Sequence, residues 1–238
     1  MALFLHLQNL QLNRRFMRRE RIFRDRLNPL DAYDDQEIIA RYRLSRQLIM
    51  RLYDAVGDEL EPSTNRNNAI PGMLQIFIAL RYYACGSYQA VIGDSIGVHK
   101  SSVCRIVHRV TQKLCNIKRQ HIQFPHTVAA QHHTKQGFYE LAQFPNVLGA
   151  IDGTLINIKA PTRDEHLYVS RKGGHSLNVL AVCDSKLKYT YVVAKYPGSS
   201  NDAFVWANCI LKDRFRNGEF NESWLIGDSG YEMKDFYI

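Results

Sequence analysis

Two aspartates occupy positions where a carboxylate can do chemistry. Asp152 interrupts an apolar segment between Ile151 and Gly153, and Asp228 follows the apolar run Trp224–Ile226 after one glycine. A carboxylate on an apolar strand costs free energy unless it is paired, hydrogen-bonded or bound to a metal ion. If the two segments are neighbouring strands, their carboxylates face each other across one strand spacing and suit Mg²⁺ or Mn²⁺. Two such ions can activate water and stabilise the leaving oxygen in phosphodiester cleavage.

The segments around these acids predict a mixed sheet. Apolar stretches bounded by turn residues predict four strands, over residues 147–158, 177–183, 190–196 and 224–226. The turn at 184–186 makes the second and third strands antiparallel, and a helix predicted over 202–215 crosses to the fourth. This order is typical of an α/β fold, in which functional residues collect outside strand ends. An aspartate at a strand end is also a common turn or cap residue, so such a structural role is the alternative to a catalytic one.

The N-terminal quarter of the chain has two segments of opposite charge. Residues 1–27 contain seven arginines against one glutamate and one aspartate, which predicts a basic arm over residues 1–30 or a solvated terminus. Residues 31–61 contain eight acids and four arginines, with apolar residues at helical spacing. We expect a pair of helices there. The predicted inward-facing residues are Ile38, Ile39, Tyr42, Leu44, Leu48, Ile49, Leu52, Tyr53 and Val56.

The middle of the chain lacks acidic residues over a long stretch. No aspartate or glutamate occurs from Ser95 through Tyr139, although that stretch contains seven lysines and arginines and six histidines. The whole chain has a formal charge of +8 and an isoelectric point near 9.3. A surface that meets phosphates explains this distribution, since acids there would repel a nucleic-acid backbone while cations release its counterions. The charge therefore predicts DNA as a partner.

The same stretch has the pattern of a helix-turn-helix motif. A helix is predicted over residues 70–84, Ser87 is a candidate cap for the next helix, and Gly93 stands where two helices cross. Gly97 supplies the turn, and a second helix begins near Ser101. The side chains expected on its exposed face are Lys100, Ser101, Ser102, Arg105, His108, Arg109, Gln112 and Lys113. A DNA-recognition helix needs hydrogen-bond donors and no carboxylates on its exposed face. An ordinary amphipathic helix pair is the alternative interpretation.

The sequence gives weaker support to other kinds of site and other classes of protein. Five cysteines without a C-x-x-C pair favour neither a disulfide framework nor a zinc ribbon. The string from Gly227 to Gly230 is similar to a serine-hydrolase motif, but such an enzyme requires a different fold. Arg171 and Lys172 are candidate phosphate contacts, with a plain basic surface loop as the alternative. No apolar run approaches the roughly 18 residues of a membrane span, and we expect a soluble intracellular protein without a membrane partner.

Several strings in order resemble the Harbinger superfamily of DDE transposases, most closely its transposase-derived nucleases in animals. The strings cover residues 147–154, 158–161, 171–178, 197–202 and 224–231, and the resemblance extends upstream through 86–89, 93–97 and 101–105. It covers nearly the whole chain from about residue 30. The resemblance implies an RNase H-like fold with an acidic triad that binds two divalent metal ions. By motif, Asp152 and Asp228 are its first two acids, and Asp202 is kept as a further candidate metal ligand.

The resemblance also implies a third acid, a glutamate on a later helix some tens of residues beyond the second aspartate. Only ten residues follow Asp228, and Glu232 and Asp235 lie too near it in sequence to occupy that helix. The chain is therefore expected to be truncated, with a sheet incomplete at its C-terminus. DNA affinity should then survive better than cleavage. Thr154-Leu155 also stands where relatives often have Thr-His.

These observations predict three segments. Residues 1–30 form the basic arm, 31–125 a helical helix-turn-helix domain, and 126–238 a partial RNase H-like nuclease domain. The function implied is cleavage of DNA phosphodiester bonds with Mg²⁺ or Mn²⁺, and the alternative is a non-catalytic DNA-binding protein that uses the helix-turn-helix. The resemblance further implies a separate Myb-like partner and a location in the nucleus, with the cytoplasm as a second location.

Overall fold

The computed structural model describes residues 26–64, 68–220 and 222–228. The chain divides into two compact units, Met1–Asn116 and Ile117–Ile238. Residues 1–25 of the predicted basic arm lie outside the described part. Within the described residues, no helix is both long enough and apolar enough to cross a membrane. All five cysteines are described, and all are free.

The first unit is helical. Its helices are α1 (Pro29–Ala32), α2 (Asp35–Tyr42), α3 (Arg46–Val56), α4 (Gly72–Cys85), α5 (Gln89–Ile96) and α6 (Lys100–His121), whose last residues belong to the second unit. Local sequence explains where α2 and α3 begin. Asp34 and Glu37 form a capping box at the start of α2, and the Ser45 hydroxyl accepts a hydrogen bond from the Leu48 N–H at the start of α3. The predicted helical pair is confirmed.

Helix α4 forms the centre of this unit and is buried on almost every side. Its residues 74–80 are all buried, and α2, α3 and α5 pack against it. Helices α2 and α3 therefore each need only a narrow apolar stripe to pack against it. One such contact is between Tyr42 and Phe77, whose rings meet edge-on with their centroids 4.8 Å apart. The prediction was wrong for Ile39 and Leu48, which are about half exposed. Each lies next to a fully buried isoleucine and is turned roughly 100° away from it around the helix.

A short turn joins α5 to α6, as the glycines predict. A Cβ added at Gly93 would lie 2.5 Å from the Val98 carbonyl oxygen, so the close approach requires glycine. Gly97 adopts a left-handed conformation with φ of 74°. Ser87 does not cap α5, because Tyr88 is the N-cap residue and no side chain caps that helix end. The buried stripe of α6 consists of Val103, Ile106, Val107 and Val110.

The second unit is a mixed α/β structure, which confirms the predicted α/β class and its mixed sheet. Its elements are α7 (Val128–Ala142), β1 (Val147–Asn157), a 3₁₀ helix (Glu165–Tyr168), β2 (Ser176–Cys183), β3 (Tyr189–Pro197), α8 (Asp202–Ala207), α9 (Ile210–Arg216) and β4 (Trp224–Ile226). The strand order is β3-β2-β1-β4. Strand β2 pairs antiparallel with both β1 and β3, whereas β4 is parallel to β1. Helix α7 begins at Val128, where the Thr127 hydroxyl accepts a hydrogen bond from the Ala130 N–H.

The core of this unit lies between the sheet and helices α8 and α9. Trp206, Leu211 and Phe215 pack there against Leu180 and Val182 of β2, among other buried residues. The prediction of one helix over 202–215 was wrong, because the helix is interrupted at residues 208 and 209. The Asn208 side-chain amide donates to the Phe204 carbonyl, and the Cys209 N–H donates to the Trp206 carbonyl. This local bonding competes with helix continuation.

Candidate active site and nucleic-acid-binding surface

Strands β1 and β4 bring two acids to the same edge of the sheet. The two strands are parallel neighbours, and their register pairs Ala150 with Ile226. Asp152 and Asp228 each follow that pair by two residues, and both are exposed. Neighbouring strands lie about 4.8 Å apart, and residues two positions further along share a face. The Asp152 Oδ1 atom accepts a hydrogen bond of 2.8 Å from the Gly153 N–H.

Asp202 is held against β1 by a buried amide. Asp202 is the first residue of α8, and Asn201 caps that helix with a 2.7 Å hydrogen bond from the Phe204 N–H. The Asn178 Nδ2 atom donates to Asp202 Oδ1 at 2.8 Å and to the Ser200 carbonyl at 2.9 Å. Asn178 is 3% exposed, so it holds a defined position. The amide therefore fixes both the carboxylate and the loop that precedes α8.

Glycine at position 153 lets the Asp202 carboxylate approach the strand. A Cβ added at Gly153 would overlap that carboxylate. Asp202 thus lies against the residue that directly follows Asp152, and because successive strand residues point to opposite faces, it lies on the face of β1 opposite to the Asp152 side chain. Within residues 26–64, 68–220 and 222–228, no three His, Cys, Asp or Glu side chains are close enough together to hold a metal ion. The described carboxylates therefore supply Asp152 on β1 and Asp228 after β4, while Asp202 lies on the other face of the sheet.

A cavity of about 270 Å³ opens beside Asp202. It is lined by Gly153, Thr154, Leu155, Arg171, Lys172, Asn178, Gly198, Ser199, Ser200, Asn201 and Asp202. Arg171 and Lys172 are exposed at the tip of a turn closed by two hydrogen bonds, from the Ser170 N–H to the Gly174 carbonyl and from the Gly173 N–H to the Ser170 carbonyl. The cavity therefore combines two cations with a wall of hydrogen-bonding groups. Three of the strings that carry the Harbinger resemblance meet in it.

Sequence reasoning missed Asn178 as a functional candidate. It alternates with apolar residues on β2, and only its place at the end of the 171–178 string singled it out. Its side-chain oxygen is buried and has no hydrogen-bond partner among the described residues. The role that the structure shows for Asn178 is to position Asp202 and the loop before α8 through its side-chain nitrogen.

The second candidate surface lies on α6 in the first unit. Lys100, Ser101, Arg105 and Arg109 are exposed there, as predicted, and Ser102 is half-buried. A groove of about 210 Å³ runs beside Ser102, Arg105 and Arg109. Two of the predicted cations have partners within the unit. Lys113 forms an ion pair with Glu59, and Arg109 donates a 3.4 Å hydrogen bond to Gln75. The unengaged cations of this surface are therefore nearest the start of the helix.

The sequence of this chain is similar to those of known proteins over most of its length. Residues 151–238 match the family model described as DDE superfamily endonuclease. Over 209 residues the chain is 40% identical to HARBI1 of Rattus norvegicus and 38% identical to HARBI1 of Homo sapiens, both named as nucleases; each match covers 88% of this chain. The protein named ALP1-like of Arabidopsis thaliana is 27% identical over 174 residues, which are 67% of this chain and 42% of that protein. No solved structure matches.

Most of the sheet, with Asp152 and Asp228, therefore lies in the DDE superfamily endonuclease domain. The chain is a close homologue of HARBI1, a Harbinger transposase-derived nuclease. The resemblance found in the sequence is confirmed. The chain spans about 60% of the length of the HARBI1 proteins it matches.

Proposed function

We propose that this protein is a divalent-metal-dependent DNA nuclease whose central acids are Asp152 and Asp228. The observation that carries the proposal is the parallel pairing of β1 with β4, in which both acids follow the Ala150–Ile226 pair by two residues. Because both acids follow the same register pair of two adjacent strands, we expect their carboxylates to lie near one another. The match to DDE superfamily endonucleases supports the same reaction class.

The sheet also supports the RNase H-like prediction. Three antiparallel strands precede two helices, and the fourth strand then joins β1 in parallel, which is the order expected from the resemblance. Catalytic acids in open α/β sheets lie where connectivity changes direction. Here that position is the junction of β1 and β4, at which Asp152 and Asp228 are exposed to solvent.

The donor set at this edge fits a hard cation. Asp152 and Asp228 offer only carboxylate oxygens, which suit Mg²⁺ or Mn²⁺, and such ions commonly keep waters and substrate phosphates as their other ligands. A bound ion would supply an activated water and charge stabilisation for phosphodiester cleavage. Asp202 stays a candidate ligand on the family motif alone, since Asn178 holds its carboxylate beside Gly153, on the face opposite to the Asp152 side chain. Arg171 and Lys172 would contact DNA phosphates near this edge.

Helix α6 is proposed as the DNA-recognition helix of a helix-turn-helix. Its exposed Lys100, Ser101 and Arg105, together with the acid-free stretch around them, support binding to a polyanion. Two further proposals rest on the family relation alone. They are a Myb-like protein partner and a location in the nucleus, with the cytoplasm as a second location.

A non-catalytic DNA-binding protein is the second candidate function. The observation that favours it is the lack, among the described residues, of a third acid close enough to complete a metal-binding group. Two carboxylates hold a metal less rigidly than three, which reduces preorganisation of the site. Metal-dependent nicking distinguishes this candidate from the nuclease.

Plasmid nicking in Mn²⁺ tests the nuclease proposal. Wild type should nick supercoiled DNA, and Asp152→Ala and Asp228→Ala should each lower the rate by at least about a hundredfold, since each removes a direct metal ligand. The control is Asp213→Ala, which removes an exposed acid of α9 in the same unit and should leave the rate unchanged. Equal activity in all four proteins would remove the metal-site proposal. Binding of DNA without nicking by wild type would favour the second candidate.

A further inference from the structure

A groove beside helix α6 is lined by two arginines and, among the residues that the structure describes, by no acid. It has a volume of about 210 Å³. Ser102, Arg105 and Arg109 line it from α6, while Gln75 and residues 69–70 line it from α4 and the chain before that helix. Neither arginine forms a salt bridge with a described aspartate or glutamate. The groove therefore holds two positive charges that no described carboxylate neutralises.

Helical spacing places Arg105 and Arg109 on the same flank of α6. Ser102, Arg105 and Arg109 follow one another at intervals of three and four residues, which is the spacing of one stripe along an α-helix. Residues at this spacing have Cβ atoms about 5–6 Å apart, and like charges there repel each other. An anion bound between two guanidinium groups removes that repulsion and accepts hydrogen bonds from both. The two arginines are therefore arranged to bind one anion together.

A buried amide orients Arg109 without neutralising it. Gln75 is 3% exposed, and its Nε2 atom donates hydrogen bonds of 2.8 Å to the carbonyl oxygens of Leu60 and Ile70. These two bonds fix the amide, and its Oε1 atom accepts a 3.4 Å hydrogen bond from Arg109 Nη1. The amide is neutral and occupies only one of the N–H donors of the guanidinium group. Arg109 therefore keeps its charge and its remaining donors for a ligand.

The composition and the size of the groove together indicate a phosphate group. Guanidinium groups form paired hydrogen bonds with phosphate oxygens, and the Ser102 hydroxyl is a further donor. The volume of about 210 Å³ is below the roughly 300 Å³ at which sites for whole small molecules begin. One tetrahedral group of a larger polyanion fits these limits better than a whole nucleotide.

We infer that this groove holds one phosphate group of the DNA backbone, which Arg105 and Arg109 bind jointly, and that Gln75 is the positioning residue for Arg109. The inference rests on the proposed function, in which α6 binds DNA. It assigns the two arginines to the backbone, so they fix the position of α6 on the duplex and carry no sequence preference. Base contacts are then left to exposed side chains of α6 outside the groove, such as Ser101 and His108.

A double-mutant cycle measures whether the two arginines share one phosphate. Binding of a labelled duplex is followed by fluorescence anisotropy at several salt concentrations. Arg105→Ala and Arg109→Ala should each weaken binding about tenfold, and the double variant no more than about twentyfold, because the first substitution already removes the joint contact. The salt dependence should fall by about one charge in all three variants. A loss of about a hundredfold in the double variant, with two charges lost, would overturn the shared phosphate.

Lys100 supplies the matched control for this cycle. It is an exposed cation of the same helix that does not line the groove. Lys100→Ala combined with Arg105→Ala should therefore show independent effects, whose product is the loss in that double variant. The arginine variants should also weaken binding equally for duplexes of different sequence, as the loss of a backbone contact does. A loss confined to one duplex sequence would overturn the assignment to the backbone.

Gln75→Glu tests the positioning role, because it keeps the shape of the side chain and places a carboxylate beside Arg109. DNA binding should weaken about tenfold, and the salt dependence should fall by about one charge, which a merely structural change would not cause. Gln75→Met, similar in volume but without the oxygen, is the second variant. A near-UV circular dichroism spectrum matching wild type shows that a variant is folded. Either folded variant with wild-type affinity and salt dependence would overturn the role of Gln75.

Inorganic phosphate separates this inference from the proposed function. In a phosphorus NMR titration it should bind the Arg105→Ala/Arg109→Ala variant at least about tenfold more weakly than wild type, and equal affinity would overturn the location. Phosphate binding in the groove without any binding of duplex DNA would overturn the assignment to DNA and leave a site for free phosphate. Metal-dependent nicking with independent arginine effects would overturn only the shared phosphate. Coupled arginine effects without nicking would overturn the nuclease proposal and leave the backbone contact.

Discussion

At the scale of single residues, the candidate site depends on three neighbours that have different tasks. Gly153 leaves room on β1, Asp202 fills that room with its carboxylate, and Asn178 holds the carboxylate with a 2.8 Å hydrogen bond. The close approach leaves no space for a side chain at position 153, because a Cβ there would overlap the Asp202 carboxylate. A small change at the glycine should therefore displace the acid.

Gly153→Ala should destabilise the second unit by about 1–3 kcal/mol, since the added methyl forces Asp202 away from Asn178. Urea unfolding followed by tryptophan emission measures this directly, because both tryptophans of the chain, Trp206 and Trp224, lie in the second unit. Gly174→Ala is the matched control, since a Cβ there meets nothing within 4 Å. Equal unfolding midpoints in the two variants would show that the Asp202 contact does not constrain the fold.

At the scale of elements, the cations of helix α6 differ in how freely they can bind a DNA phosphate. Arg105 is exposed, whereas Lys113 is engaged by Glu59. An engaged cation must give up its partner before it can bind a phosphate, so its net contribution to DNA binding is smaller.

Arg105→Ala should weaken DNA binding about tenfold and reduce the salt dependence of the binding constant by about one charge, because one phosphate contact is lost. Lys113→Ala should have a smaller effect on both quantities. Fluorescence anisotropy with a labelled duplex at several salt concentrations measures them. A larger effect at Lys113 than at Arg105 would contradict the assignment of the DNA-binding surface to the start of α6.

A half-buried tyrosine of strand β3, Tyr191, lies next to the buried thiol of Cys209, the residue before helix α9. Burial and the neighbouring Cys209 thiol raise the pKa of Tyr191 to about 12, and burial also raises the pKa of Cys209. An unfolded tyrosine ionises near pH 10. Between pH 10 and 12 the unfolded state therefore loses the proton that the folded state keeps, and stability falls as pH rises through this window.

Tyr191→Phe should make the free energy of unfolding fall less steeply between pH 10 and 12, because the variant has no hydroxyl to ionise there. The tryptophan emission maximum reports unfolding of the second unit at each pH. Tyr189→Phe, at a 59% exposed position of the same strand, is the control and should keep the wild-type pH dependence. Identical pH profiles for Tyr191→Phe and wild type would show that the Tyr191 hydroxyl does not limit alkaline stability.

At the scale of the whole molecule, the proposed DNA-binding helix and the proposed catalytic acids belong to different compact units. Helix α6 begins in the first unit, while Asp152 and Asp228 lie in the second. DNA affinity from cations does not require a divalent metal, whereas the proposed cleavage does. The two activities should therefore be separable.

Removing metal with EDTA should abolish nicking and leave DNA affinity within about twofold, because phosphate contacts from lysine and arginine persist. Parallel nicking and anisotropy measurements on the same preparation check this. Adding back Mn²⁺ in excess of EDTA should restore nicking, while Ca²⁺ serves as a control for ionic strength. Loss of DNA binding together with cleavage would show that the metal site also carries most of the affinity.

The sequence by itself determined which local elements form and what chemistry they can carry. Periodicity, caps and turn residues predicted the four strands, the helical first unit and the glycine turn before α6, because these depend on residues near one another in the chain. The motif strings established the transposase-derived nuclease relation. Only the tertiary structure decided that β4 lies beside β1, that Asn178 holds Asp202 against Gly153, and that Glu59 engages Lys113. Those contacts join residues 24 to about 80 positions apart, and strand register and side-chain direction at that range are set by packing of the whole unit.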